Sequence, residues 1–235
     1  MIAIIKLELI KFLKNPFSLF FSFLLPFILL IFEGTVFGVK LYYIGPGLII
    51  MNAATLTISI LTNSLFNDRI TKITKQISIT QLSILKYMFG KLIFNYILFL
   101  INFFIITFFS FLIFKIYWTL FIIISLLFIT TIAFLTFFFI SVIISSSLET
   151  YKNCSFTALI CFYIILFLSG SVIPAELFPN WVKIIQILIP SGSAILIIVN
   201  LKEGIILSST WYFYLIAIIQ LIVFALWAFK KFKWQ

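Results

Sequence analysis

Six stretches of this chain stay apolar for about twenty residues each, roughly 17–37, 44–66, 92–114, 118–145, 154–173 and 210–229. At 1.5 Å per residue, about 20 apolar residues cross the 30 Å hydrocarbon core of a bilayer. Backbone groups must be paired within the segment there, so runs of this kind fold as helices. A soluble fold is excluded by supply: 9% of the residues are charged, against about 25% in a typical soluble domain. The expected fold is all-α and integral to the membrane, one transmembrane domain over 1–235 with six spans.

Six is even, so both termini lie on one side, and positive charge indicates which. With the N-terminus inside, the cytoplasmic segments hold twelve basic residues: Lys6, Lys11 and Lys14; Arg69, Lys72, Lys75, Lys86 and Lys91; Lys152; Lys230, Lys231 and Lys233. The outer segments hold four, Lys40, Lys115, Lys183 and Lys202. The expectation is N-in and C-in. The net charge of +10 is then topogenic and needs no nucleic-acid partner, because the basic residues sit between apolar runs. Fifteen lysines against one arginine, with abundant Ile, Phe and Asn, suggest an AT-rich bacterial genome.

Residues 1–16 are too short to span. At helical spacing Ile2, Ile5, Leu9, Phe12 and Leu13 share an arc opposite Lys6, Glu8, Lys11 and Lys14, which predicts a helix lying in the interface. The run that follows is longer than a signal-peptide core and ends in Glu33-Gly34-Thr35 without a small-x-small site, so it is expected to remain as the first span. Cys154 and Cys161, about 10 Å apart along one helix, are expected to stay unbridged.

Three polar features stand out. Asn52, Thr55, Ser59, Thr62 and Asn63 fall within one arc of the second span, and Asn95 and Asn102 share a face of the third. They pack against other helices or line a substrate path, and both readings stand. Glu33, the only acid inside an apolar run, is either functional or solvated near the interface. Residues 174–203 are too apolar for a loop, yet Pro174, Pro179 and Pro190 break them into pieces shorter than a span. Leu177, Trp181, Ile184 and Leu188 face away from Glu176, Asn180 and Lys183, which predicts a short helix dipping into the outer leaflet. A second short helix follows from about Ala194 to Lys202, making an outer gate.

The segment 67–91 concentrates five of the sixteen basic residues. Residues 69–78 are predicted to be a helix with Arg69, Lys72, Lys75 and Gln76 on one side and Ile70, Ile73 and Ile77 on the other. Such a helix suits either the inner leaflet or a groove in a soluble partner.

Two of these regions resemble the permease subunits of ABC-2 type exporters. The first is Ser169, Gly170, Ile173, Pro174, Glu176, Pro179, Trp181 and Pro190 after the fifth span, and the second is Asp68, Arg69, Gln76, Thr80, Gly90 and Lys91 between the second and third. The chain departs from that family in lacking its glutamates and glycine in the second region and in having Gln81 where Pro is common. The resemblance implies a bacterial cytoplasmic-membrane permease that pairs with a second permease and with a cytosolic ABC ATPase subunit. ATP and Mg would be bound on that subunit and no cofactor on this chain. It also implies an ATPase-coupling role for Asp68, Arg69, Ile70, Lys72, Ile73, Lys75, Gln76, Ile77 and Thr80, and a gate role for Ser169, Gly170, Pro174, Glu176, Pro179, Trp181 and Pro190. The implied cargo is amphipathic or lipid-like: a drug, a peptide antibiotic or a lipid-linked glycan.

Other classes fit less well. There is no histidine, phosphate-binding GxxxxGK[ST], HExxH or GxSxG, and nothing adjacent to activate Ser171, which disfavours an intramembrane enzyme. An ion-coupled carrier needs buried ionisable groups, of which only Glu33 offers itself.

Overall fold

The computed structural model describes residues 2–37, 41–73, 83–170, 178–202 and 211–231. Among these residues the structure is all helical, with six helices long and apolar enough to cross a membrane.

Helix α1 (Ile2–Lys14) precedes the first span and ends where Asn15 caps the next helix through its side-chain oxygen. The first span joins α2 (Pro16–Leu19), a π-helical stretch (Phe20–Leu24) and α3 (Leu25–Phe37). Pro26 has no N–H to offer the carbonyl four residues back, that of Ser22. The Asn52 amide donates to that carbonyl across 2.8 Å, so the second span completes the first.

The second span has the same construction: α4 (Leu41–Ala54), a π-helical stretch (Thr55–Leu61) and α5 (Thr62–Ile70). Thr55 and Thr57 turn their hydroxyls back onto the carbonyls of Met51 and Ala53, a bond that loosens and bends a helix, at the point where the wider π turns begin. This span is the hub of the bundle. Protein buries 78% of it, against 17% each for the fifth and sixth spans, whose apolar side chains face outward as lipid-exposed helices do. Its polar side chains therefore lie among helices.

The remaining spans are α6 (Ile84–Phe114), α7 (Leu120–Ser147), α8 (Tyr151–Leu168) and α11 (Trp211–Lys231). Helix α6 starts earlier than its apolar run suggests. Ser83 caps it by accepting from the Lys86 N–H, and Gly90 and Lys91 lie within the helix rather than at its opening. Between the fifth and sixth spans, α9 (Asn180–Leu188) and α10 (Pro190–Lys202) meet at 107°. Helix α10 begins four residues before the expected Ala194 and is mostly buried against α7, α4 and α11, so only α9 lies at the surface.

A candidate polar junction and a candidate gate

At the end of the bundle that carries α1, four charged side chains meet inside the protein. Asp68 near the end of α5 receives Lys11 of α1 at 2.6 Å on one oxygen, and on the other Lys91 of α6 at 2.6 Å and the Tyr87 hydroxyl at 2.9 Å. Lys91 also reaches Glu8 at 3.1 Å and the Ser64 hydroxyl at 2.8 Å, and Ser64 donates to Glu8 at 3.2 Å. Lys11 lies 3.4 Å from the same glutamate. Two acids face two lysines, and Lys91 is fully enclosed, with 0% of its surface exposed. Removing one member of such a group leaves an uncompensated charge in a low-dielectric interior, which costs about 3–5 kcal/mol. Burial opposes the charge on Lys11, but its hydrogen bond to Asp68 and the nearby Asp68 and Glu8 charges outweigh this and raise its pKa above the ordinary lysine value.

Local sequence explains why α1 can lie this close. Ile4, Glu8 and Phe12, four residues apart, form its buried face, and a side chain on Gly90 would meet Ile4 at 2.9 Å. Glu8 therefore points into the protein, not toward headgroups with Lys6 and Lys14 as its helical arc suggested. The 3.6-residue pattern identified a polar side but carried no information about which of its members had a counter-charge waiting.

Arg69, expected on a docking face, turns inward as well. Its guanidinium lies 4.9 Å from the centre of the Phe66 ring and donates to the Ser146 carbonyl at 3.0 Å and to the Leu148 carbonyl, closing the C-terminal end of α7. Helix α5, which carries Arg69, stops at Ile70; residue 73 is helical again, and the rest of the stretch predicted as a helix over 69–78 lies outside the described residues. Thr71 returns its N–H and hydroxyl to Asn67, and Lys72 is left-handed at φ 58°. Ile70 and Lys72 are exposed and Ile73 is half-buried, while Lys75, Gln76, Ile77 and Thr80 lie outside the described residues.

Beside this junction is a cavity of about 550 Å³, lined by α1, the start of the first span and the near ends of the second, third and fifth. Ser59, Asn63 and Asn95 line it, whereas Asn52, Thr55, Thr62 and Asn102 do not. Asn63 donates to the Ser59 carbonyl at 2.7 Å and accepts from the Ser155 hydroxyl at 2.6 Å, which ties the second span to the fifth. Asn95 and Asn102 donate back to Lys91 and Leu98 of their own helix, and both are buried. The polar arc read at 100° per residue thus divides: the π turns rotate Ser59 and Asn63 toward the cavity and leave Asn52 facing the first span.

The opposite end is held by neutral amides. Gly170, at φ 85°, ends the fifth span in the left-handed conformation that glycine adopts without strain. The Ser169 carbonyl before it accepts from Gln186 of α9 at 2.7 Å, and Gln220 of the sixth span donates to the Leu188 carbonyl at 2.8 Å. Trp181, Ile184 and Leu188 are all more than 60% exposed and form one apolar outer face of α9, with Pro179 just ahead of the helix and Pro190 opening α10. Pro174 and Glu176 lie outside the described residues. Neither glutamine was singled out in the sequence, although an amide within an otherwise apolar helix is itself a sign of a partner across helices. Glu33 is 2% exposed with no hydrogen bond to either oxygen among the described residues, which removes the solvated reading.

The sequence pattern that defines the ABC-2 type transporter family matches residues 1–201. This chain belongs to that family. It is a multi-pass transporter membrane component of a family that generally works with an ATPase partner. No match was found among curated proteins.

Proposed function

We propose that this ABC-2 chain is the permease subunit of an ATP-driven exporter in a bacterial cytoplasmic membrane, paired with a second permease and with cytosolic ATPase subunits that bind ATP and Mg. The positive-inside distribution orients the α1 end toward the cytoplasm. The observation that carries the reading is the ionic junction: it binds α1, the second span and the third into one body at the end where the 67–91 segment emerges. A push on that segment moves three helices together, because shearing them apart would separate enclosed charges. Opening then falls to the far end, where α9 is held by neutral hydrogen bonds. The cargo is amphipathic, handled between the two permeases, and drug or antibiotic export fits such a path.

The test is co-purification with an ATP-binding subunit. Replacing Ile70, Ile73 and Ile77 by Asp should abolish the association while leaving the permease folded. Unchanged association would remove the coupling role from this segment. Transport by the permease alone on an ion gradient would replace the reading with an ion-coupled carrier, for which Glu33 is a buried acid with no hydrogen-bond partner among the described residues.

A further inference from the structure

The cavity beside the ionic junction has the makings of a binding site. Its inner wall carries Glu8, Lys11 and Asp68, with Asn67 and Asn95 nearby, and its rim carries Phe17. Phe17 is 74% exposed, where the first span begins, so the cavity opens at the level where α1 meets the bundle. A chamber that sets these polar groups among apolar side chains such as Phe12, Phe21, Ile60 and Phe94 accommodates a molecule with a polar head and an apolar tail.

Charge balance narrows the head. Both acids of the junction are matched by lysines within the protein, and the Asp68 oxygens, the Glu8 oxygens and the Lys91 ammonium all have partners. Among the described residues that line the cavity no charge is left without a counter-charge, so a charged head would lose hydration there with no ion pair to offset it. An uncharged head meets amides and hydroxyls that both donate and accept. We propose that this cavity binds the uncharged, hydroxyl-bearing head of an amphiphile, such as a glycoside, drawn from the leaflet on the α1 side. As the place where cargo is taken up, the site rests on the exporter reading; its binding preference does not.

The experiment uses the full chain in phosphatidylcholine vesicles, with Cys154→Ala and Cys161→Ala as background and Ser59→Cys as reporter. Only the backbone carbonyl of Ser59 is engaged by Asn63, so its side chain is replaceable. The rate of maleimide labelling is measured with decyl maltoside, decyl phosphate and decyltrimethylammonium at equal membrane concentration. The expected result is a slowing of about tenfold by the maltoside and less than about twofold by either ion, the tenfold difference being an ordinary step in affinity. Equal protection by all three, or stronger protection by an ion, overturns the proposal. Asn67→Cys serves as a second reporter if Ser59→Cys does not fold.

A charge-shifted variant tests the cause. Glu8→Gln leaves one positive charge unmatched, so decyl phosphate should now protect as well as the maltoside. If phosphate still gives no protection, charge balance is not what selects the ligand and the proposal fails. Failure of the unsubstituted chain to bind an ATPase, with the maltoside preference intact, would sink the exporter reading alone, and ATPase binding without the maltoside preference would sink this site alone.

Discussion

Two cavities of nearly equal size sit at opposite ends of this bundle. The one beside α1, about 550 Å³, sets two acids, a lysine and several asparagines among apolar side chains, whereas the one between the third and fourth spans, about 530 Å³, is lined by Phe104, Phe108, Phe111, Trp118 and other groups that are nearly all apolar. The two ends are fastened as differently as they are lined. Enclosed ion pairs hold α1 to the second and third spans, while amide-to-carbonyl bonds from neutral side chains link α9 to the fifth and sixth among the described residues. A net neutral hydrogen bond contributes about 1 kcal/mol, and an enclosed charge that loses its partner costs several times that. The contrast teaches that separating the ionic end would cost more than separating the bonds seen at the α9 end, which is what the proposed gate requires.

The comparison can be broken in stages. Lys91→Met should have the largest effect, lowering stability in detergent by about 3–5 kcal/mol, because Asp68 and Glu8 then share only the half-exposed Lys11. A loss below about 1 kcal/mol in chemical unfolding would mean that the junction is wetter than its geometry implies. Gly192→Ala should come next, since the new methyl group would run into the backbone carbonyl of Gln186, which cannot swing aside; overpacking of this kind costs about 1–3 kcal/mol or more. Gly90→Ala meets only the Ile4 side chain at 2.9 Å, and its smaller effect sharpens the same comparison.

Gln186→Leu should lower the unfolding free energy by about 1–2 kcal/mol while raising proteolytic nicking around α9. A loss as large as that of Lys91→Met would erase the distinction between the ends. Trp181→Ala should be smallest, within about 0.5 kcal/mol, because its ring faces outward. Its effect should appear instead as weaker protection of α9 from a water-soluble quencher.

The six spans were legible because twenty apolar residues admit so few structures, and the bent α9–α10 pair because three prolines divide an apolar stretch. The amphipathic face of α9 followed from spacing alone: Trp181, Ile184 and Leu188 are exposed together, and Val182 and Gln186 are buried. The junction was not legible. Glu8, Lys11, Asp68 and Lys91 come from three helices, and no local pattern says that lysines counted as topogenic charge will find carboxylates 2.6 Å away. The π turns were hidden for a related reason. Thr55 and Thr57 have ordinary positions in a helical arc, and only their hydroxyl bonds to the preceding turn show that the arc had to rotate. Gly90 and Lys91, met in the sequence as a motif, acquire physical reasons in the structure: the glycine admits Ile4 and the lysine closes the ion cluster.

The most direct test measures both ends in one sample. Spin labels at Lys6 and Lys86 would report α1 against the third span, and labels at Lys183 and Tyr163 would report α9 against the fifth, in the permease bound to the proposed ATPase partner with and without trapped ATP. The first distance should stay within about 2 Å, the scale of small interface shifts, and the second should lengthen by about 5 Å or more, the scale of a helical turn. A large change at the ionic end with none at α9 would contradict the division of labour between the two ends.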